Sequence, residues 1–178
     1  MEFFEVVTTR RSVRTFSAAQ VDADNVRQIL EAANLSPSAG NLQAYEIYVV
    51  TQPSRRTELA KATHQQDFIA SAPIVFVFCA HPARSESKYG ERGVRLYAVQ
   101  DATIACCFAM LAATALGLAT VWVGAFKDEA VRRVIGAPEG IVPVAMLLVG
   151  CAAEQPTPTS RRSLDQLVHH VDDEAEPE

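Results

Sequence analysis

From Ala102 to Phe126 the chain carries no charged side chain, and this stretch constrains the fold more than any other. An uncharged segment of that length could in principle cross a bilayer. Its composition argues otherwise, because Ala and Thr dominate over Leu and Ile and Gly117 interrupts it. Glycine ends helices by adopting the left-handed conformation without strain. The segment therefore reads as the larger part of a buried helix, about Val94 to Leu116, followed by a core strand, Ala119 to Val123. The small side chains of that helix permit close approach by whatever packs on it.

The remaining pattern alternates helices with strands. Residues 2–8 begin a short amphipathic helix, and Asp22 or Asp24 can cap a second, whose apolar positions Val26, Ile29, Leu30 and Ala33 recur at helical spacing. Pro37 and Gly40 close it. Tyr45 to Thr51 is rich in β-branched and aromatic residues and reads as a strand. Pro53-Ser54 starts a helix running towards residue 63 or beyond. Ile74 to Ala80 is a strand apolar enough to be covered on both faces. Residues 81–93 read as a polar connection. A helix from Lys127 to Ile135 and a strand from Val142 to Val149 complete the core, and Pro156 and Pro158 argue for an extended arm. Such alternation predicts an α+β or α/β sandwich around one sheet, with no domain boundary within residues 1–170. The arm beyond residue 152 has little core of its own and would be more stable on another subunit.

Charge excludes one class of partner. Five of the 21 acidic residues lie among the last seven positions, so the other 16 balance the 16 lysines and arginines. A nearly neutral body lacks the basic footprint of nucleic-acid binding. Residues 171–178 read as a disordered acidic tail. The cysteines at 79, 106, 107 and 151 have no C-x-x-C spacing and read as reduced. His64, His81, His169 and His170 are dispersed without ligand-spaced partners, so no metal site is expected. The first residues, Met-Glu-Phe-Phe, carry no basic leader pattern. A cytoplasmic protein without a membrane span is the resulting expectation.

Against that neutral background, Thr9-Arg10-Arg11-Ser12-Val13-Arg14 gathers three guanidinium groups and two hydroxyls in six residues. Arginine forks match phosphate oxygens two at a time, so the cluster suits an anionic group. Ser36-Pro37-Ser38-Ala39-Gly40-Asn41-Leu42-Gln43 adds two amide side chains in a turn, and Arg161-Arg162 adds a second arginine pair. Taken singly, the arginines could be a solvated face and the turn an ordinary helix-to-strand connection. Together they suggest a ligand with a phosphate tail and a polar ring system.

These segments, with Asp101-Ala102, Ala112 to Leu118 and Val121-Trp122-Val123-Gly124-Ala125-Phe126, resemble in order and spacing the nitroreductase family of flavin-dependent oxidoreductases. The resemblance spans roughly residues 5–170. It implies a three-layer α/β sandwich of the α+β class, with a central, mostly antiparallel sheet flanked by helices. It also implies an intertwined homodimer with FMN at the subunit interface. Carried over by position, Arg10, Arg11, Ser12 and Arg14 would hold the phosphate, ribityl and pyrimidine side of FMN, with Arg161 or Arg162 adding a phosphate contact. Pro37, Ser38, Ala39, Asn41 and Gln43 would come from the partner chain. Val123, Gly124 and Ala125 would lie near flavin N5, with the Gly124 backbone N–H directed towards it. Some larger relatives have Glu at the position of Gly124. Tyr89, Arg92 and Arg95 are substrate-side candidates, and Trp122 is first a packing residue.

The implied activity is hydride transfer from NADH or NADPH through flavin N5 to small aromatic acceptors such as nitroaromatics or quinones, in alternating half-reactions. The cofactor would carry the reaction, with no catalytic side chain, and the protein would supply binding and geometry. No G-x-G-x-x-G loop occurs, as suits a nicotinamide that stacks directly on flavin. Two competing readings keep the ligand: a non-catalytic flavin-binding or sensing module, and a dedicated flavin-dependent dehydrogenase of a biosynthetic pathway.

Overall fold

The computed structural model describes residues 1–63 and 66–171. His64 and all of the acidic tail except Val171 lie outside the described residues, so the expectation for 171–178 is not addressed by them.

Four strands form one sheet: β1 (Tyr45–Val50), β2 (Ile74–Ala80), β3 (Ala119–Val123) and β4 (Val142–Gly150). Their spatial order is β1-β2-β4-β3, and every neighbouring pair is antiparallel. All seven β2 residues are buried, as its unbroken apolar run predicts. Because side chains alternate across a strand, β2 feeds two cores. Val75, Val77 and Cys79 pack on one face with Val121, Met146 and Leu148. Helices α3 (Pro53–Lys61), α4 (Phe68–Ser71) and α7 (Asp128–Ile135) cover that face. Ile74, Phe76 and Phe78 pack on the other with Leu147 and Val149, beneath α2 (Ala23–Asn34) and α6 (Ala98–Ala115). The result is the expected three-layer α+β sandwich.

Helix α1 (Phe3–Thr9) buries only Val6. For α2 the open choice of cap resolves to Asp22, whose carboxylate accepts the Asp24 N–H at 2.7 Å. On α6 the uncharged stretch buries Ala102, Ala105, Cys106, Ala109 and Ala113 against the sheet. The run Pro82–Ala115 is long and apolar enough to cross a membrane by composition, but its small-residue face is occupied by this packing. Val99 and Phe108 on α6 stay exposed.

The polar connection expected at 81–93 is instead helical. Pro82 opens α5 (Pro82–Arg92), which breaks at Gly90 (φ 54°, ψ −141°) and passes through a π-turn, Gly93–Tyr97, into α6. Proline suits a first helical turn, where its missing N–H has no partner to lose. Gly93 is not a turn glycine: a Cβ there would lie 2.5 Å from the Ser85 carbonyl oxygen, so it permits close packing of the backbone. Glycines that look like loop signals here serve a kink and a contact.

After β4 the chain pairs with the N-terminal segment. Ser17 N–H donates to the Cys151 carbonyl, and Ala153 N–H to the Thr15 carbonyl, both at 2.9 Å. From Thr157 to Val171 every residue is exposed, including Leu164 at 74%.

Candidate functional site

The arginine segment is extended along the free edge of β3. Ser12 bridges Thr120 in parallel register, and Val13 N–H donates to the Thr120 carbonyl at 2.9 Å. Val13 and Phe16 are buried and anchor the segment in the core. Arg10 and Arg11 thereby line a pocket of about 280 Å³, with Thr9, Gly117 and Leu118 along its wall. Arg11 Nη1 folds back onto the carbonyls of Thr8 and Arg10. Neither guanidinium has a carboxylate partner among the described residues. Glu154 lines the same pocket, yet its Oε1 is occupied by the N–H groups of Arg14 and Thr15, at 2.5 and 3.0 Å. Those bonds, the one from Arg14 first, hold the Glu154 carboxyl below its ordinary pKa.

The three-arginine cluster divides. Arg14 turns away from that pocket, its guanidinium 5.8 Å from the centre of the Phe68 ring. Two residues before Phe68, Gln66 Nε2 donates to the Ala125 carbonyl at 3.1 Å. The 66–68 segment thus links Arg14 to the exposed turn Gly124-Ala125 that follows Val123 at the end of β3. A single seat made by all three arginines is not formed.

The turn after α2 is held in an unusual backbone. Gly40, Asn41 and Gln43 have φ of 57°, 58° and 46°, a left-handed region costly for residues with a Cβ. Several bonds fix it. Ser38 Oγ accepts the Gln43 N–H at 3.0 Å, Gln43 Nε2 donates to the Asn41 carbonyl at 2.7 Å, and Arg84 donates to the Gln43 carbonyl at 3.1 Å. Asp101, 1% exposed in the first turn of α6, grips both ends: Oδ1 accepts Ala39 N–H at 2.9 Å and Oδ2 accepts Ala44 N–H at 3.2 Å. Pro37, Ser38 and Ala39 then face Tyr97, Gln100 and Asp101 across a pocket of about 480 Å³.

Sequence reasoning singled out Tyr89 and Arg92 but missed Tyr97, which joins them. Tyr97 meets the Tyr89 ring edge-on, with centres 5.0 Å apart. Its hydroxyl accepts from Arg92 Nε at 2.9 Å. Asp101 was legible only as part of a motif; the available signal was a lone carboxylate heading an uncharged helix. Arg161 and Arg162 are exposed and, among the described residues, bond within the arm to Thr159, Ser160 and Gln166. In one chain the Arg10–Arg11 pocket and the Pro37–Ala39 pocket share no lining residue among the described residues. Among the described residues no cluster of His, Cys, Asp or Glu could hold a metal ion.

The arrangement offers paired guanidinium groups for an anion in one place and rigid amide and hydroxyl groups beside aromatic rings in another. The sequence profile of the Nitroreductase family matches residues 7–66 and 61–151. A protein of Archaeoglobus fulgidus, provisionally described as an NADH dehydrogenase/NAD(P)H nitroreductase, is 33% identical over 153 residues, covering 84% of each chain. An FMN reductase [NAD(P)H] of Bacillus subtilis is 28% identical over 182 residues, covering 94% of this chain and 73% of that one. In fold, the NADPH:FMN oxidoreductase of Vibrio harveyi, solved with NAD+, superposes with a TM-score of 0.87 at 24% identity, covering 98% of this chain and 79% of that one.

Proposed function

The chain belongs to the nitroreductase family, and on that footing we propose an FMN enzyme that takes two electrons from NADH or NADPH and passes them to small flat acceptors such as nitroaromatics or quinones. The donor leaves before the acceptor binds, in ping-pong order. The family and its FMN reductase relatives support the coarser statement, an NAD(P)H-dependent flavin oxidoreductase.

The observation that carries this reading is the pair Arg10 and Arg11, which line one pocket and form no salt bridge among the described residues. Two unneutralised forks fit the dianionic phosphate of FMN, since charge-assisted bonds to phosphate are short and strong. Ser12 would add a hydroxyl donor, and Arg14, linked through residues 66–68 to the Gly124-Ala125 turn, would add positive charge on the ring side. Ser38, Asn41 and Gln43 offer hydroxyl and amide groups from a backbone that Asp101 keeps rigid. When bound, FMN supplies a ring that accepts and returns hydride. The protein would bind and orient it and give the two substrates access to it in turn.

Because the phosphate pocket and the amide turn lie apart in one chain, the reading joins them across a homodimer. The uncovered Val99 and Phe108 of α6, and Leu164 and Leu167 of the arm, support that assembly as apolar groups awaiting a partner. Either Arg161 or Arg162 would then reach the partner's phosphate.

The test is direct. Purified protein should be yellow and dimeric in analytical ultracentrifugation, and anaerobic NADH or NADPH should bleach it. Nitroaromatics or quinones should then restore the colour. Bound flavin that dithionite reduces but neither nicotinamide does would instead mark a binding module.

A further inference from the structure

Lys88 and Arg92 stand together at the rim of the amide turn without any acidic partner among the described residues. Their neighbours are differently employed: Arg84 donates to the Gln43 carbonyl, and Arg95 is paired with Glu91 at 3.0 Å. Each free cation rests on a tyrosine ring, Lys88 Nζ 5.4 Å from the centre of Tyr89 and the Arg92 guanidinium 5.4 Å from that of Tyr97. The rings themselves meet edge-on, so the four side chains form one unit.

This unit touches the turn directly. A Cβ added to Gly40 would lie 2.5 Å from Tyr89 Oη and 2.6 Å from Lys88 Nζ. Gly40 therefore lets the ammonium and the phenol lie against the backbone between Ser38 and Asn41. Arg84 and Lys88 precede the break at Gly90 and Arg92 follows it, and their contacts carry positive charge from the Gln43 carbonyl, past Gly40, to the Tyr97 hydroxyl beside the second pocket.

A line of cations beside flat rings suits an extended ligand whose anionic groups are spread along its length. A compact acceptor would need one charge, not a track. Resting on the oxidoreductase reading above, we infer that Lys88 and Arg92 seat the phosphate groups of the dinucleotide donor and make this enzyme prefer NADPH to NADH. The two donors differ only in the 2′-phosphate of the adenosine ribose, and a basic side chain is the usual means of accommodating that group. Arg92 has a planar fork for a phosphate face, and Lys88 contributes a point charge. Tyr97 holds Arg92 in place through its hydroxyl.

Two measurements on the FMN-loaded protein test this. Calorimetry should show adenosine 2′,5′-bisphosphate binding about tenfold or more tighter than 5′-AMP, the scale of one charge-assisted contact. In Lys88→Met and Arg92→Leu that advantage should collapse towards parity, and Arg92→Lys should keep part of it. Anaerobic flavin reduction should show the NADPH to NADH ratio falling in the same variants. Both side chains are exposed, so their replacement removes no core. Equal binding of the two nucleotides by the unaltered protein would overturn the inference. So would variants that change only the KM of an anionic acceptor such as 4-nitrobenzoate. Failure of both nicotinamides to bleach the flavin would instead sink the underlying enzyme reading, while the nucleotide-binding comparison would still judge the cation track.

Discussion

Asp101 is joined to Ala39 by a 2.9 Å bond from the Ala39 N–H to its Oδ1, while its other oxygen receives the N–H of Ala44. One buried carboxylate thus ties both ends of the turn to the first helical turn of α6. An ionised carboxylate can only accept, and here each oxygen faces a donor. In Asp101→Asn one oxygen becomes an NH2 group pointing at a buried N–H. Leaving such a donor unpaired costs about 1–3 kcal/mol. The urea midpoint should fall accordingly, and FMN affinity should fall with it, because the turn loses its clamp. A variant of unchanged stability and unchanged flavin affinity would show that the two bonds fix nothing.

Gly40 is the tightest point of that turn. Its φ of 57° disfavours any residue with a Cβ, by about 1–2 kcal/mol. In Gly40→Ala the added methyl would also displace Tyr89 and Lys88. Each kcal/mol lowers the melting temperature of a chain this size by about 2–4 °C. Thermal melting should therefore drop by several degrees, and reduction by nicotinamide should slow in the protein that remains folded. Melting unchanged within a degree would contradict the contact.

Arg10→Ala and Arg11→Ala bear on the anion pocket. Each removes one guanidinium that lines the pocket and forms no salt bridge among the described residues. A charge-assisted contact contributes about 1.5–3 kcal/mol, so the FMN dissociation constant should rise by roughly 10- to 150-fold. Release of fluorescent free flavin on dilution measures this. Both side chains lie outside the hydrophobic core, so the urea midpoint of the flavin-free protein should hardly move. If both variants keep full affinity, the phosphate binds elsewhere.

The strands were legible because their apolar runs are short, continuous and β-branched: Ile74 to Ala80 is buried throughout, as its composition demands. The long helix was legible from its missing charges. Residues 81–93 were not, since Gly90 and Gly93 look like loop residues in sequence and only packing against Ser85 explains the second. The residue types of the candidate site could be picked out in sequence, but not how the fold divides them. Arg10 and Arg14 sit four residues apart in sequence, and only the extended backbone beside β3 sends one to the pocket and the other to Phe68. Tyr97 had no sequence signal, because its role depends on the π-turn that brings it to Tyr89 and Arg92.

Glu154 makes the arginine segment sensitive to acid. Its carboxyl is held below the ordinary glutamate value chiefly by the Arg14 N–H, with the Thr15 N–H and the Arg14 charge contributing. A carboxyl whose pKa is lower folded than unfolded stabilises the fold when ionised. That contribution is complete above the unfolded value, about 4.3, and disappears as pH falls through the lowered folded value. Protection of the Arg14 and Thr15 amides against hydrogen exchange, corrected for intrinsic rates, should therefore be high near neutrality and decline in that acid window. In Glu154→Gln the neutral amide accepts more weakly, so protection should start lower and stay flat across the same range. Since the tie aligns the segment carrying Arg10 and Arg11, FMN affinity of the unaltered protein should decline in parallel and show a shallower slope in the variant. An identical acid profile in both proteins would assign the loss to another group.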